Sequence, residues 1–329
     1  MISSLLIPSL VLLVGLALLV WSSDIFIDGA ASTAVHLQIS PLIIGVVVLG
    51  FGTSMPEIVV SSIASLDNSP GLAIGNAIGS NIANVGLVLG VTALIAPIIV
   101  KSSILKRELP MLLAISLGVF LLLSDGSLDF FDGIIMVSAL VAAMFWMIRV
   151  NKEIDPSDPI ASETQHEIES MQSLSMNKSL LFLLIGLIIL MSSAQMMVWG
   201  AEHIARYFEV PDVIIGLTII AIGTSLPELA AAIAAARKNE ADLMIGNIVG
   251  SNLFNILAVL SVPALIAPGS LEKDVLWIDY PVMLGFTLLM LVLALPLRGK
   301  TEIAKVKGLL LTSLFVAYLG LLYVRSTGA

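Results

Sequence analysis

The chain has 329 residues, of which 58% are hydrophobic and 12% charged, with a formal net charge of −9 and no cysteine. A water-soluble domain of this size does not need so apolar a composition, and the missing cysteines exclude disulfides, thiolate metal sites and cysteine nucleophiles. No basic stripe accompanies the acidic balance, which argues against nucleic acid as a partner.

Apolar stretches of roughly 17 to 25 residues, the length that crosses a ~30 Å hydrocarbon core as helix, recur along the chain. They lie near 4–26, 40–65, 72–97, 108–124, 129–150, 179–203, 211–236, 243–267, 277–297 and 307–325. They are continuously apolar rather than alternating, and Gly and Pro occur inside them, so they read as helices and not as barrel strands. The expected fold is an all-α membrane protein of about ten transmembrane helices. Gly29, Ala30 and Ala31 follow the first run as small residues follow a secretion signal, but cleavage there is not expected, because the repeat described below includes this helix.

With ten spans the loops alternate between two faces. Lys101, Lys106, Arg107, Arg149, Lys152, Lys178, Arg237, Lys238, Arg298, Lys300, Lys305 and Lys307 fall on one face, and only Arg206, Lys273 and Arg325 on the other. The positive-inside rule then puts both termini outside the cytoplasm, in a plasma or inner membrane. The polar stretch 151–178 carries Glu153, Asp155, Asp158, Glu163, Glu167 and Glu169 and reads as a cytoplasmic linker, without the ligand spacing of an EF-hand.

The most informative feature is internal. Gly52-Thr53-Ser54-Met55-Pro56-Glu57 returns as Gly223-Thr224-Ser225-Leu226-Pro227-Glu228, and the segment from Gly75 to Asn84 returns from Gly246 to Asn255, both at an offset of 171 residues. Ala93 to Pro97 recurs unchanged at Ala264 to Pro268, and Gly29-Ala30 pairs with Gly200-Ala201. Residues 1–150 and 179–329 thus form two five-helix repeats. Five is odd, so the second copy enters the membrane inverted, an arrangement that points to a transport site near the midplane.

A carboxylate at the centre of a membrane helix costs at least about 2.5–3.5 kcal/mol, and this chain places two there. Thr53 and Glu57 are four residues apart, as are Ser80 and Asn84, so each pair shares a helix face. Folding the two copies together could gather Thr53, Glu57, Ser80, Asn84, Thr224, Glu228, Ser251 and Asn255 around one cavity, all of them oxygen donors. Pro56 and Pro227 should kink or unwind their helices and free the carbonyls of Gly52 and Gly223. Two glutamates with hydroxyls, amides and carbonyls suit a hard cation that takes about 6–8 oxygens. His36, His166 and His203 show no metal-ligand spacing, while Asp24, Asp28 and the Glu202/Arg206 pair read as interfacial.

At these motifs the sequence resembles the sodium/calcium exchangers of the calcium/cation antiporter superfamily, especially their short prokaryotic members. The resemblance implies a ten-helix fold in which broken helices 2, 3, 7 and 8 hold the ions while helices 1 and 6 slide past them. It implies Glu57 and Glu228 as calcium ligands, carbonyl ligation by Thr53 and Thr224, sodium sites using Ser80 and Ser251, and carbonyls from Gly50 and Ala221. It further implies a non-enzymatic antiporter of Ca²⁺ and Na⁺ in the lipid bilayer, with no cofactor and no obligate protein partner. Some relatives carry an acid where this chain has Asn84 or Asn255, which leaves two carboxylates and disfavours the potassium-dependent branch. The proton/calcium branch typically reads Gly-Asn-x-x-Glu where this chain has Gly75-Asn76-Ala77-Ile78-Gly79. A proton-coupled or K⁺-assisted exchanger stays the alternative.

Overall fold

The computed structural model describes residues 2–37, 39–100, 104–152, 174–208, 221–295 and 302–327. In chain order the helices are α1 Ile2–Leu37, α2 Pro41–Thr53, α3 Met55–Leu66, α4 Pro70–Ile95 and α5 Lys106–Asp125, then α6 Phe130–Lys152 and α7 Met176–Tyr207. After them come α8 Ala221–Thr224, α9 Leu226–Arg237, α10 Ala241–Ile266, α11 Val275–Ala294 and α12 Lys305–Thr327. Eight of these are long and apolar enough to cross a membrane, and the bent pair α2–α3 makes a ninth span. The expected stretch 211–236 is described only from Ala221 onward, and most of the linker 151–178 lies outside the described residues. The protein is a multi-pass helical membrane protein.

Helices that are hydrophobic all round belong inside a large protein or in lipid, and this fold uses both places. The most apolar windows of α4 and α10 are 72% and 83% buried, whereas those of α1 and α7 are 22% buried. Leu6, Leu10 and Leu13 of α1, and Leu184 and Ile188 of α7, therefore project outward, where acyl chains replace water. Small residues let the central helices approach backbone to backbone. A Cβ on Gly45 would lie 2.9 Å from Gly246 Cα, and one on Gly250 would lie 2.4 Å from Val46 O. The α1–α7 seam is built alike. Gly15 and Gly29 lie against α7, and Gly186 and Gly200 against α1, two pairs separated by the same offset of 171.

Local backbone features recur at that offset. Asn68 and Asn239 both hold positive φ, 55° and 61°, in the loops joining α3 to α4 and α9 to α10; asparagine tolerates this left-handed region better than most residues. π-helical turns span Asn84–Leu89 and Asn255–Val259, and again Ile104–Glu108 and Val275–Asp279. The expected breaks take two forms. In helices 2 and 7 the chain turns at Ser54 (φ −84°, ψ 3°) and Ser225 (φ −90°, ψ 4°) rather than at the prolines. Pro56 and Pro227 follow within the first two positions of the new helices, where a missing N–H costs nothing. α2 and α3 meet at 41°. Helices 3 and 8, expected to break, instead run through as single spans that carry π turns.

Contacts sort the loops onto two ends of the bundle. Strand β1 Ile98–Ile99 pairs with β4 Glu302–Ile303, and β2 Ser127–Leu128 pairs with β3 Gly269–Ser270. Ile98 and Ile99 share a small cavity with Ala236, Asn239 and Met244, and Lys238 Nζ lies 2.6 Å from Asp28 Oδ1. At the other end Glu272 Oε1 approaches Gly71, and Arg325 holds Asp274 and Asp279. This order is the alternation expected for the spans, and the equivalent loops carry opposite charge, Asp67-Asn68 against Lys238-Asn239. The Asp28–Lys238 pair is partly exposed, so Lys238→Gln is expected to lower stability by at most ~1 kcal/mol. Thermal melting in detergent at low and high salt would measure it, and a salt-independent loss well above that would contradict a surface pairing.

Candidate cation site

Glu57 stands in the first turn of α3 and Glu228 in the first turn of α9, immediately beyond the serine turns. A helix N-terminus favours a carboxylate by its dipole, and the turn carries each side chain to the interior. Both glutamates are 1% exposed, and none of their four side-chain oxygens has a hydrogen-bond partner. They are close enough to act on each other electrostatically. The Ser80 hydroxyl faces Glu57 and the Thr53 hydroxyl faces Glu228, but neither approach completes a hydrogen bond. Charge buried in this way is strongly unfavourable unless it is compensated, and all four oxygens are open to a compensating cation or proton.

The hydroxyls and amides around the acids come from both copies of the motif. Thr53 Oγ1 lies 3.0 Å from Leu49 O, 3.1 Å from Asn247 Oδ1 and 3.2 Å from Ser251 Oγ. Ser251 Oγ is 3.5 Å from Gly50 O. Asn84 Nδ2 donates to Asn252 Oδ1 at 3.0 Å, which joins α4 to α10. Asn84 keeps a free Oδ1, and Asn255, fully buried, has neither side-chain atom paired. Ser54 Oγ, Ser225 Oγ and Asn81 Oδ1 are buried and unpartnered as well.

Of the residues selected from sequence, Thr53, Gly50 and Ser251 thus meet directly, and Glu57, Ser80 and Glu228 lie close by. Thr224 is half-buried at the end of α8, and Ala221 opens that helix with its side chain outside the described residues. The motif reading passed over Asn76, Asn81, Asn247 and Asn252, although all stand inside the repeated segment. The signal was there: an i, i+4 rule drawn from Ser80 and Ser251 steps past the asparagine immediately following each. Asn76 is a structural tie, its Nδ2 donating to Glu57 O at 3.1 Å and to Ser61 Oγ at 3.0 Å. The two sides of the site also differ in exposure. Gly246, Asn247 and Gly250 are buried, whereas Gly75 is exposed and Asn76 and Gly79 are half-buried; Ser80 and Ser251 are both buried.

Apolar spans surrounding two bent elements that carry acids into a polar centre define a polytopic membrane protein of the transporter class. A family profile described as sodium/calcium exchanger protein matches residues 7–149 and 178–324, and the chain belongs to that family. It is 43% identical over 318 residues to the putative antiporter CaxA of Alkalimonas amylolytica, covering 97% of this chain and 99% of that one. With the sodium/calcium exchanger MaX1 of Methanosarcina acetivorans it shares 29% identity, over 95% of this chain and 98% of that one. A structure of the sodium-calcium exchanger NCX_Mj superposes with a TM-score of 0.82 at 32% identity, covering 96% of this chain and 98% of the other.

Proposed function

We propose that this protein is a secondary antiporter that exchanges Ca²⁺ for Na⁺ across the membrane by alternating access. The observation that carries the reading is the pair Glu57 and Glu228: two buried carboxylates within electrostatic range, with no protein donor on any of their oxygens. Two negative charges neutralise one Ca²⁺ or two Na⁺. Glu57, Glu228, Thr53, Thr224, Ser80, Ser251, Asn84 and Asn255, with the carbonyls of Gly50 and Ala221, supply the 6–8 oxygens that a dehydrated Ca²⁺ requires. Empty and ionised, the acids repel each other in a site that excludes water. The site then occludes and crosses over only when loaded, and this couples the opposing fluxes.

Residues 1–150 and 179–329 serve as the inverted repeats and 151–178 as the cytoplasmic linker, with both termini outside the cytoplasm. The glycine-lined α1–α7 seam supports a sliding pair of helices, and the exposed Gly75 face opposite the buried Gly246 face supports access from one side at a time. No covalent step and no cofactor is needed. Reconstituted into liposomes, the protein is expected to take up ⁴⁵Ca²⁺ only when an outward Na⁺ gradient is imposed. Uptake without sodium overturns the coupling, and imposed pH or K⁺ gradients on the same vesicles identify a proton-coupled or K⁺-assisted exchanger instead.

A further inference from the structure

Asn76 and Asn247 occupy the same position in the two copies of the motif, yet they do different work. Asn76 binds within its own repeat, to Glu57 O and Ser61 Oγ. The residue equivalent to Ser61 is Ala232, which offers nothing to an amide, and Asn247 reaches across to the other repeat. Its Oδ1 lies 3.1 Å from Thr53 Oγ1, while its Nδ2 is buried and unpartnered. The contact spans 194 residues of sequence and joins α10 to the end of α2.

A hydroxyl has one hydrogen, and a hydroxyl that ligates a cation must direct it elsewhere. Thr53 has three possible acceptors, Leu49 O at 3.0 Å, Asn247 Oδ1 at 3.1 Å and Ser251 Oγ at 3.2 Å. Giving the hydrogen to Asn247 leaves one unsatisfied atom on a buried amide instead of two, so the hydrogen belongs there. Ser251, 3.2 Å from Thr53, can direct its own hydrogen to Gly50 O. The Thr53 oxygen, which lies close to Glu228, then keeps its lone pairs free for a cation. We propose that Asn247 is a positioning residue of the cation site: its side-chain oxygen takes the Thr53 hydroxyl hydrogen and turns the Thr53 oxygen toward a hard cation held by Glu228. Asn76 does not share this role, and the two halves of the site are chemically unequal despite their matching motifs.

This inference rests on the cation-site reading above, and a double-mutant cycle on the purified full-length protein separates the two. Equilibrium binding of ⁴⁵Ca²⁺ is expected to weaken roughly tenfold in Asn247→Ala and by a similar factor in Thr53→Val, the scale of one hydrogen bond. Because Asn247 acts through Thr53, the double variant is expected to bind no more weakly than Thr53→Val alone. Asn76→Ala, which does not touch Thr53, is expected to multiply its effect with that of Thr53→Val. If Asn247→Ala does not fold, Asn247→Asp keeps the acceptor oxygen and Asn247→Leu removes it. Thr53→Val must then weaken binding in the first background and leave it unchanged in the second. Multiplying effects of Asn247 and Thr53, or wild-type affinity in Asn247→Ala, overturn the positioning role alone, whereas absence of Ca²⁺ binding to wild type overturns the cation site and this inference together.

Discussion

Glu57→Gln and Glu228→Gln are each expected to abolish sodium-driven Ca²⁺ uptake while leaving the fold intact or slightly more stable in the absence of ions. The two effects have opposite signs for one reason. Each carboxylate is buried without a donor on either oxygen, so in the ion-free protein it contributes a desolvation cost and repulsion from its partner. An amide of the same shape removes both. In the proposed loaded state each carboxylate neutralises half the charge of the divalent ion, and its loss is expected to cost about 3 kcal/mol or more, on the order of a hundredfold in affinity. Thermal melting distinguishes these contributions. Saturating Ca²⁺ at about 100 times Kd should stabilise wild type by about 2.7 kcal/mol through linkage and should barely shift either variant. A Gln variant that keeps uptake within a few-fold of wild type would remove Glu57 and Glu228 from the centre of the site.

Gly250→Ala is expected to be the most damaging small substitution in the bundle. Its Cβ would lie 2.4 Å from Val46 O and 2.7 Å from Val46 Cα, and backbone cannot rotate away as a side chain can. α2 and α10 would have to separate, with a loss of ~3 kcal/mol, at the upper end for overpacking. The same displacement would part Thr53 from Asn247 and Ser251, so ion affinity should fall together with stability. Gly118→Ala is the matched control. No described atom lies within 4 Å of its Cβ, and alanine there should stabilise the helix by about 0.5–1 kcal/mol. Melting temperatures of the two variants in one detergent would test the contrast; equal values would mean that α2 and α10 do not pack through Gly250.

Much of the architecture is legible in residue order because its causes are local. Apolar runs of membrane length must be helices, since the bilayer offers no partners for an unpaired backbone. The offset of 171 residues announces duplicated structure, and the left-handed Asn68 and Asn239 and the paired π turns recur at that offset. Glu57 and Glu228 stand out because a carboxylate in an apolar span needs a reason. Where the chain bends was less legible. Proline marked the right neighbourhood, but the turn falls on Ser54 and Ser225, because a proline that opens a helix is satisfied where it stands. The π turns in α4 and α10, which replace the expected breaks, leave no mark in helical periodicity.

By itself, then, the sequence determined that this is a helical membrane protein, that its pattern occurs twice, and that its acidic and hydroxyl residues lie on repeated segments. Only the tertiary structure decided which of them meet. Thr53 finds its side-chain partners, Asn247 and Ser251, on α10 rather than in its own repeat, and Asn76 and Asn247 part ways because one faces Ser61 and the other lacks that hydroxyl at Ala232. Helix periodicity and motif spacing act over a few residues, whereas these contacts form between segments almost 200 residues apart, brought together by glycine faces that let α2 and α10 touch along their backbones.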